Sequence, residues 1–195
     1  DGPITEDLEM VINGFAKEYV GLFKVIGLPE NVGLGAALHN GIFSCSNELV
    51  ARMDADDIAY KHRCEWQLNE FAKDNVLDIV GAYVDEFNDD SSKILGTRTV
   101  PLRQSDIIRF SRRRNPFNHS TVMFKKSKVI ECGNYSFMRT NQDVELWLRM
   151  LHNGANSKNI SESLVLFRFD RKTYERRKDW ANIRLMIKLW QDFWH

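Results

Sequence analysis

In the ten residues Glu48-Leu49-Val50-Ala51-Arg52-Met53-Asp54-Ala55-Asp56-Asp57, an apolar run is followed directly by three carboxylates. The apolar part predicts a buried strand, and the acidic part then lies at its carboxyl end. Ligands of open α/β sheets bind at that end of the strands. Carboxylates placed this close repel one another unless a cation balances them. The segment therefore indicates a site for Mg²⁺ or Mn²⁺, with coordination positions left for phosphate oxygens.

Helices and strands alternate on both sides of this segment. Apolar residues at helical spacing predict four helices, over 5–15, over 34–42, around Trp66 to Phe71 and over 141–153. Apolar runs predict strands over 21–26, 48–53, 76–87 and 120–124. This alternation is typical of an α/β fold, and we expect a largely parallel sheet. The last stretch, 174–195, combines three tryptophans with interspersed basic residues, which predicts a helix. That helix either packs on the domain or lies on an anionic membrane surface, and the two are compatible.

The bulk composition excludes several classes of protein. The chain has 195 residues, the size of one domain, with 27 basic and 27 acidic residues. This balance gives no reason to expect a nucleic-acid partner. The three cysteines, Cys45, Cys64 and Cys132, are widely spaced and odd in number, which favours reduced thiols and a cytoplasmic location. No apolar run approaches the roughly 20 residues that cross a bilayer.

The acidic segment is also compatible with functions other than a Mg²⁺ or Mn²⁺ site that binds phosphate. An EF-hand loop beginning at Asp54 would need an oxygen ligand at Ile58 and a glycine at Ala59, so it is excluded. A phosphatase that uses Asp54 as its nucleophile and a solvated acidic loop both stay open. The pair Gly33-x-Gly35 is not a dinucleotide fingerprint, since the third glycine position is Leu38. Its glycines would instead let a loop approach a ligand closely.

Several motifs, in this order along the chain, resemble those of the family-two glycosyltransferases, which have the GT-A fold. The matching segments are Asn31–Asn40 (NVGLGAALHN), Glu48–Asp57 (ELVARMDADD), Arg63 with Gln67, Asn115–Met123 (NPFNHSTVM), Gly133-Asn134-Tyr135 and Gln142–Trp147 (QDVELW). The resemblance implies a three-layer α/β/α fold. Asp1-Gly2 resembles the end of the family's Asp-Asp-Gly-Ser turn, so we expect the first strands to precede this sequence. It further implies a catalytic domain over 1–170 that lacks its N-terminal part, and a basic, aromatic helical tail over 171–195.

The resemblance also assigns roles to individual residues. Asp143 corresponds to the catalytic base, although it could instead cap a helix. The metal ligands would be Asp54, Asp56 and His119, where His119 is alternatively an acceptor contact or a hydrogen-bonded pocket histidine. Contacts to the nucleotide sugar would come from Asp1, Asn31, Gly33, Asn40, Arg52, Asp54, Asp57 and Arg168. The basic run Arg112-Arg113-Arg114 either grips phosphates of the donor or the acceptor lipid, or forms a solvated face.

The implied function is inverting transfer of a hexose from a nucleotide-diphosphate sugar to a saccharide acceptor, with Mn²⁺ or Mg²⁺ as the cofactor. The subgroup that the sequence most resembles builds O-antigen, a lipopolysaccharide component, on lipid-linked acceptors. We therefore expect a cytoplasmic protein with peripheral contact, through residues 174–195, at the inner face of the plasma membrane. The alternative that is not an enzyme is a catalytically incomplete domain that acts as a binding module.

Overall fold

The computed structural model describes residues 1–169 and 180–194, which contain seven α-helices, six strands and a short 3-10 turn. The helices are α1 (Glu6–Glu18), α2 (Leu34–Ser44), α3 (Arg63–Lys73), α4 (Gln104–Ser111), α5 (Lys126–Glu131), α6 (Gln142–His152) and α7 (Trp180–Trp194). The strands are β1 (Leu49–Ala51), β2 (Ile58–Ala59), β3 (Ile79–Phe87), β4 (Gly96–Arg98), β5 (Met123–Lys125) and β6 (Ser157–Arg168). The 3-10 turn is His119–Thr121. The predicted α/β class is confirmed.

The described strands form one mixed sheet in the order β1-β5-β3-β6-β2, with β4 paired to β3. Strands β3 and β6 are parallel, whereas the other four pairings are antiparallel. The prediction of a mostly parallel sheet is therefore wrong for the described strands. Alternation of helices and strands favours parallel pairing only where each helix crosses over between neighbouring strands. Here a turn without a helix connects β3 to β4. Strand β5 runs antiparallel to both of its neighbours, β1 and β3.

Helices cover both faces of the sheet. Ile79 belongs to an apolar cluster with Ile107 of α4 and Trp147 of α6. The next residue, Val80, belongs to a second cluster that includes Phe71 of α3. Because successive side chains of a strand point to opposite faces, α3 covers one face while α4 and α6 cover the other. The three-layer α/β/α arrangement is therefore present.

Two of the predicted strands differ from the structure. Residues 21–26 form no strand, and Leu22 in this segment is 86% exposed. Apolar alternation stabilises a strand only when a neighbour accepts its hydrogen bonds, and no described segment pairs with these residues. The predicted strand over 120–124 begins instead as the 3-10 turn. The Asn118 carbonyl accepts hydrogen bonds from the amide and the hydroxyl of Thr121, which delays β5 until Met123.

The predicted helices agree better with the structure. The Thr5 hydroxyl accepts a hydrogen bond from the Leu8 amide and caps α1, although α1 buries no residue. Helix α6 ends close to the predicted residue 153, and Gly154 follows it at φ +73°. The predicted tail helix is present as α7, while residues 170–179 and 195 lie outside the described residues. No helix in the described ranges is both long and apolar enough to cross a bilayer.

Candidate active site

A cavity of about 720 Å³ lies beyond the end of β1, between the acidic segment and the start of α6. Its wall includes three aspartates and five arginines: Asp54, Asp56, Asp143, Arg52, Arg98, Arg114, Arg139 and Arg168. The excess of arginine makes the cavity suited to an anionic ligand, although the whole chain carries no net charge. The cavity brings together the two regions of sequence in which a metal site and a catalytic base were predicted.

Arg52 and Asp54 form an ion pair at the end of β1. Both terminal nitrogens of the guanidinium donate to the two carboxylate oxygens of Asp54. Arg52 is only 7% exposed, and its amide donates to the Val122 carbonyl over 2.9 Å. Burial of a guanidinium is costly unless it is paired with an anion or hydrogen-bonded. Arg52 is therefore the charge partner of Asp54.

Two of the three carboxylates of the acidic segment face the cavity, and the third does not. Asp56 is exposed and lines the cavity beside Asp54. Asp57 is buried away from the cavity wall, and its carboxylate accepts the Arg168 amide over 2.9 Å. Burial raises the pKa of Asp57, while the hydrogen bond from Arg168 opposes that rise. Asp57 does not line the cavity, so its position gives no support to the predicted contact with a nucleotide sugar, and its side chain secures the end of β6 instead.

Two carboxylates, rather than a group of three ligands, are available for a metal. The described ranges contain no group of three or more His, Cys, Asp or Glu side chains placed to hold a metal ion, so Asp54, Asp56 and His119 are not assembled as predicted. Asp54 and Asp56 still face one cavity. Mg²⁺ is commonly bound by one or two carboxylates together with substrate phosphates. The two aspartates fit a metal of that kind, with the other ligands supplied by a bound diphosphate.

His119 lies in the cavity wall as a neutral, hydrogen-bonded side chain. Its Nε2 is 3.0 Å from the Tyr135 hydroxyl oxygen, and its ring packs at an angle on Trp147. Burial, followed by the positive charge of Arg52, lowers the pKa of His119 well below its ordinary value. Burial also raises the pKa of Tyr135, so that its phenol stays protonated. This geometry matches the pocket-histidine alternative for His119.

Asp143 lies in the first turn of α6 and faces the cavity. The Asn115 side-chain amide donates to its carboxylate over 2.8 Å. Burial raises the pKa of Asp143, and hydrogen bonds from the Val144 amide and Asn115 lower it, as does the charge of Arg52. The helix cap position itself belongs to Asn141, in the left-handed region at φ +58°. Asp143 is thus placed to accept a proton from a ligand in the cavity.

The segment 31–40 supports the cavity from one side. The Asp1 carboxylate accepts the amides of Val32 and Gly33 over 2.8 and 3.0 Å. Gly33 has φ +93°, and Arg139, which lines the cavity, donates to the Asn31 carbonyl over 3.3 Å. Asp1 therefore holds the loop that contains Asn31 and Gly33 next to the wall.

Asn40 is the exception within this segment. It is exposed on α2, and its side-chain amide donates to the Ala36 carbonyl over 2.9 Å. Asn40 is not part of the cavity wall, so its position gives no support to the predicted contact with the donor. The side chain instead makes a local bond within its own helix.

Arg168 links the acidic segment to the residue that follows β3. Its Nε donates to the Asp56 carbonyl over 3.2 Å, and its Nη1 donates to the Asn88 carbonyl over 3.0 Å. The guanidinium also lies 4.7 Å from the centroid of the Phe87 ring. These contacts hold Arg168 in the cavity wall, where the sequence predicted a binding residue.

The match to a family model covers residues 1–141, and that model is described as glycosyl transferase family 2. The chain belongs to this family. A relative within it, the UDP-Gal:alpha-D-GlcNAc-diphosphoundecaprenol beta-1,3-galactosyltransferase of Escherichia coli, is 38% identical over 91% of this chain and 63% of its own length. The amylovoran biosynthesis glycosyltransferase AmsE of Erwinia amylovora is 34% identical over 98% of this chain and 70% of its own. The chain thus spans about two thirds of each.

Solved structures of low sequence identity share the fold of this glycosyltransferase-family chain. S. aureus TarS 1-349 in complex with UDP-GlcNAc matches with a TM-score of 0.67 at 13% identity, over 95% of this chain and 54% of the TarS chain. The mannosyltransferase PcManGT from Pyrobaculum calidifontis, in complex with GDP-Man and Mn²⁺, matches with a TM-score of 0.66 at 14% identity, over 91% and 48%. The GT-A-like fold implied by the sequence is therefore confirmed.

Several residues of the cavity were not assigned from the sequence of this family-2 chain. Asn115 and Tyr135 lie in motifs that match the family, but nothing in those motifs shows that they contact Asp143 and His119. Arg98 and Arg139 reach the wall from segments that carried no motif. Three side chains of α7 also line the cavity, namely Ile183, Met186 and Trp190. Only their apolar helical pattern, which predicts packing, could have pointed to them.

Proposed function

We propose that this family-2 chain is the part of an inverting hexosyltransferase that binds a nucleotide-diphosphate sugar and presents it to a saccharide acceptor. The observation that supports this most is a single cavity shared by Asp54, Asp56 and Asp143. Its arginines suit a diphosphate, since guanidinium groups bind phosphate oxygens in a bidentate manner. The names of the relatives suggest a lipid-linked acceptor and a role in cell-surface polysaccharide, such as O-antigen.

The proposed transfer requires removal of the proton of the acceptor hydroxyl and stabilisation of the negative charge on the leaving diphosphate. The acceptor hydroxyl loses its proton as its oxygen attacks the anomeric carbon, and the nucleotide diphosphate leaves from the opposite face. Asp143 takes that proton, and its raised pKa brings it closer to neutrality, where a base is most effective. The arginines of the wall stabilise the negative charge that develops on the leaving diphosphate. A Mn²⁺ or Mg²⁺ ion held by Asp54 and Asp56 would add Lewis-acid stabilisation of the same charge.

The cellular setting is part of this proposal. Nucleotide sugars and reduced thiols are both found in the cytoplasm, and the cysteines of this chain are free in the structure. A lipid-linked acceptor places the reaction at the inner face of the plasma membrane. Peripheral contact through the tail would need no membrane-spanning segment.

Calorimetry tests the proposed donor site. We expect nucleotide-diphosphate hexoses to bind in the presence of Mn²⁺, and Asp54→Asn or Asp56→Asn to weaken that binding about tenfold or more. Asp89→Asn, at an exposed turn outside the cavity, is the matched control and should bind normally. Unchanged donor affinity in both site variants would contradict the assignment.

Chemical trapping separates this function from the hydrolase alternative. An aspartate nucleophile predicts a phosphoryl group covalently attached to Asp54 after incubation with a phosphate ester. We expect none, because both oxygens of that carboxylate accept hydrogen bonds from Arg52. Donor binding without transfer to any acceptor would instead indicate a binding module.

A further inference from the structure

Two asparagines have left-handed backbone conformations among the described non-glycine residues, Asn134 at φ +59° and Asn141 at φ +58°. This conformation is unfavourable for a residue with a side chain, although asparagine tolerates it better than most. The side-chain amide of Asn134 donates to the His39 carbonyl over 3.1 Å, and its side-chain oxygen accepts the Tyr135 amide over 2.7 Å. Hydrogen bonds within the fold therefore explain the conformation of Asn134.

The contacts of Asn141 give no comparable explanation. Asn141 is the cap residue of α6, but its side chain makes no capping hydrogen bond. Its amide nitrogen is buried and has no hydrogen-bond partner among the described residues. Buried polar groups are nearly always hydrogen-bonded, and a buried donor without a partner costs free energy. Backbone strain of this kind is concentrated at active sites and ligand-binding sites, so Asn141 is a candidate for contact with a ligand.

Asn141 lies in the wall of the cavity, beside the proposed base. Asn141 and Asp143 are two residues apart, so their Cα atoms are separated by at most about 7 Å. The Glu145 amide donates to the Asn141 carbonyl over 3.0 Å, which holds Asn141 at the first turn of α6. A ligand that contacts Asp143 is therefore within reach of the Asn141 side chain.

The cavity wall around Asp143 suits a neutral ligand. Among the described lining residues, those from 140–144 and from α7 include one charged side chain, that of Asp143. Arg139, which precedes this segment, donates to the Asn31 carbonyl over 3.3 Å. Met186 and Trp190 of α7 line the cavity and pack against the cluster that contains Val144, so an apolar surface lies next to the base. A sugar ring has hydroxyl groups at its edge and C–H groups on its faces, and it fits a wall of this composition.

We propose that Asn141 recognises the acceptor saccharide, by donating a hydrogen bond from its side-chain amide to one hydroxyl while a second hydroxyl of the same ring lies at Asp143. The inference rests on the proposed function and deepens it, because it assigns a residue to the selection of the acceptor. Recognition of two hydroxyls fixes the orientation of the ring, and thereby which hydroxyl receives the hexose. A donor that binds a hydroxyl also discriminates against a sugar that lacks it, since the donor is then unpaired again.

The substitution Asn141→Gly tests this role. Glycine adopts the left-handed conformation without strain, so the urea midpoint of unfolding should stay close to the wild-type value. The KM for an octyl hexoside acceptor should rise about tenfold, because one hydrogen bond to the ring is lost. The kcat should change much less, since Asp143 is unaltered. Asn153→Gly, at the exposed opposite end of α6, is the matched control and should leave the acceptor KM unchanged.

Monodeoxy analogues of the octyl hexoside identify the hydroxyl that Asn141 binds. Besides the analogue that lacks the reacting hydroxyl, one analogue should have a kcat/KM about tenfold lower than the parent acceptor with the wild type. Asn141→Gly should show no further loss with that analogue, because both changes remove the same hydrogen bond. Equal losses for every analogue in both proteins would overturn the proposal.

The donor hexose offers the same hydroxyl chemistry, and calorimetry separates the two sugars. The Kd of a UDP-hexose should be the same for Asn141→Gly and the wild type. If the variant weakens donor binding and leaves the acceptor KM unchanged, the amide contacts the donor sugar and the proposal is wrong. Absence of donor binding in the wild type would overturn the proposed function, and this inference with it. Transfer by the wild type with an unchanged acceptor KM in Asn141→Gly would overturn this inference alone.

Discussion

The carboxylate of Asp143 is subject to opposing influences, which makes its protonation sensitive to one neighbour. Burial raises its pKa, and the Asn115 amide is among the groups that lower it. Asn115→Leu removes that hydrogen bond, so the pKa of Asp143 should rise further. Because a base must be ionised, we expect the acid limb of the kcat/KM profile to move to higher pH. An unchanged profile would contradict this positioning role.

Asp143→Asn tests the base itself. The asparagine amide is not basic enough to take the proton of the acceptor hydroxyl near neutral pH, so kcat should fall by about 10²–10⁴-fold. Donor affinity should remain close to the wild-type value, because the change leaves the arginines and the acidic segment in place. Retained turnover in this variant would remove Asp143 from the mechanism.

His119 should make the fold sensitive to acid. Its pKa in the folded protein lies well below 6.5, so below pH 6.5 the unfolded chain takes up a proton that the folded chain does not. The free energy of unfolding should therefore decrease as the pH falls from 7 to 5, by at most about 1.4 kcal/mol per pH unit for this one group. Urea unfolding of His119→Gln should show a shallower decrease. Equal slopes would mean that other groups cause the acid sensitivity.

Many residues of the cavity wall could be predicted from the sequence, but the direction of each side chain could not. Asp54, Asp56, His119, Asp143 and Arg168 all line the cavity. Asp57 and Asn40 do not, since adjacency along the chain does not determine which of several neighbouring side chains faces a cavity. Contacts between distant segments could not be predicted, because no spacing in the sequence links the two partners.

Helix α2 closely approaches the segment that precedes α6. A Cβ atom on Gly35 would lie 2.2 Å from the Ser136 carbonyl oxygen and 2.5 Å from that of Met138. Gly35→Ala should therefore reduce the free energy of unfolding by about 1–3 kcal/mol. Gly41→Ala, in the same helix with no atom within 4 Å of its Cβ position, should increase it by about 0.5–1 kcal/mol. Similar effects of both changes in urea unfolding would contradict the packing argument.

Helices were predicted better than strand pairing for a physical reason. The apolar spacing that defines α6 lies within one short segment, and its residues Val144, Leu148 and Leu151 are buried as expected. Strand direction and partners depend on segments far apart in the sequence. The runs at 21–26 and 120–124 carry suitable residues, yet the hydrogen bonds available to them decide their conformation.

Helix α7 closes one side of the cavity by packing on α6. Leu189 is buried against Val144 and Leu148. Leu189→Ala should reduce the free energy of unfolding by about 2 kcal/mol, and it should raise the KM of the acceptor more than the Kd of the donor. Ile187→Ala, at a 46% exposed position of the same helix, should change stability by less than about 0.5 kcal/mol. A loss of the same size in both variants would show that α7 does not pack this way.

The net charge of the whole chain does not predict the positive charge of the cavity wall. Basic and acidic residues balance over the chain, yet arginines from five separate segments meet in one wall. Only the fold places them together. The α/β class and the acidic segment could be predicted because each depends on a local pattern, whereas this concentration of charge depends on the assembled molecule.

The ion pair between Arg52 and Asp54 has a thermodynamic consequence. A divalent ion that arrives alone must compete with a guanidinium for the same carboxylate, while a diphosphate offers Arg52 another anion and releases Asp54. Each ligand should therefore increase the affinity of the other, and linkage requires the two enhancement factors to be equal. Titrations of Mn²⁺ with and without nucleotide diphosphate, and the reverse, would measure that heterotropic cooperativity directly.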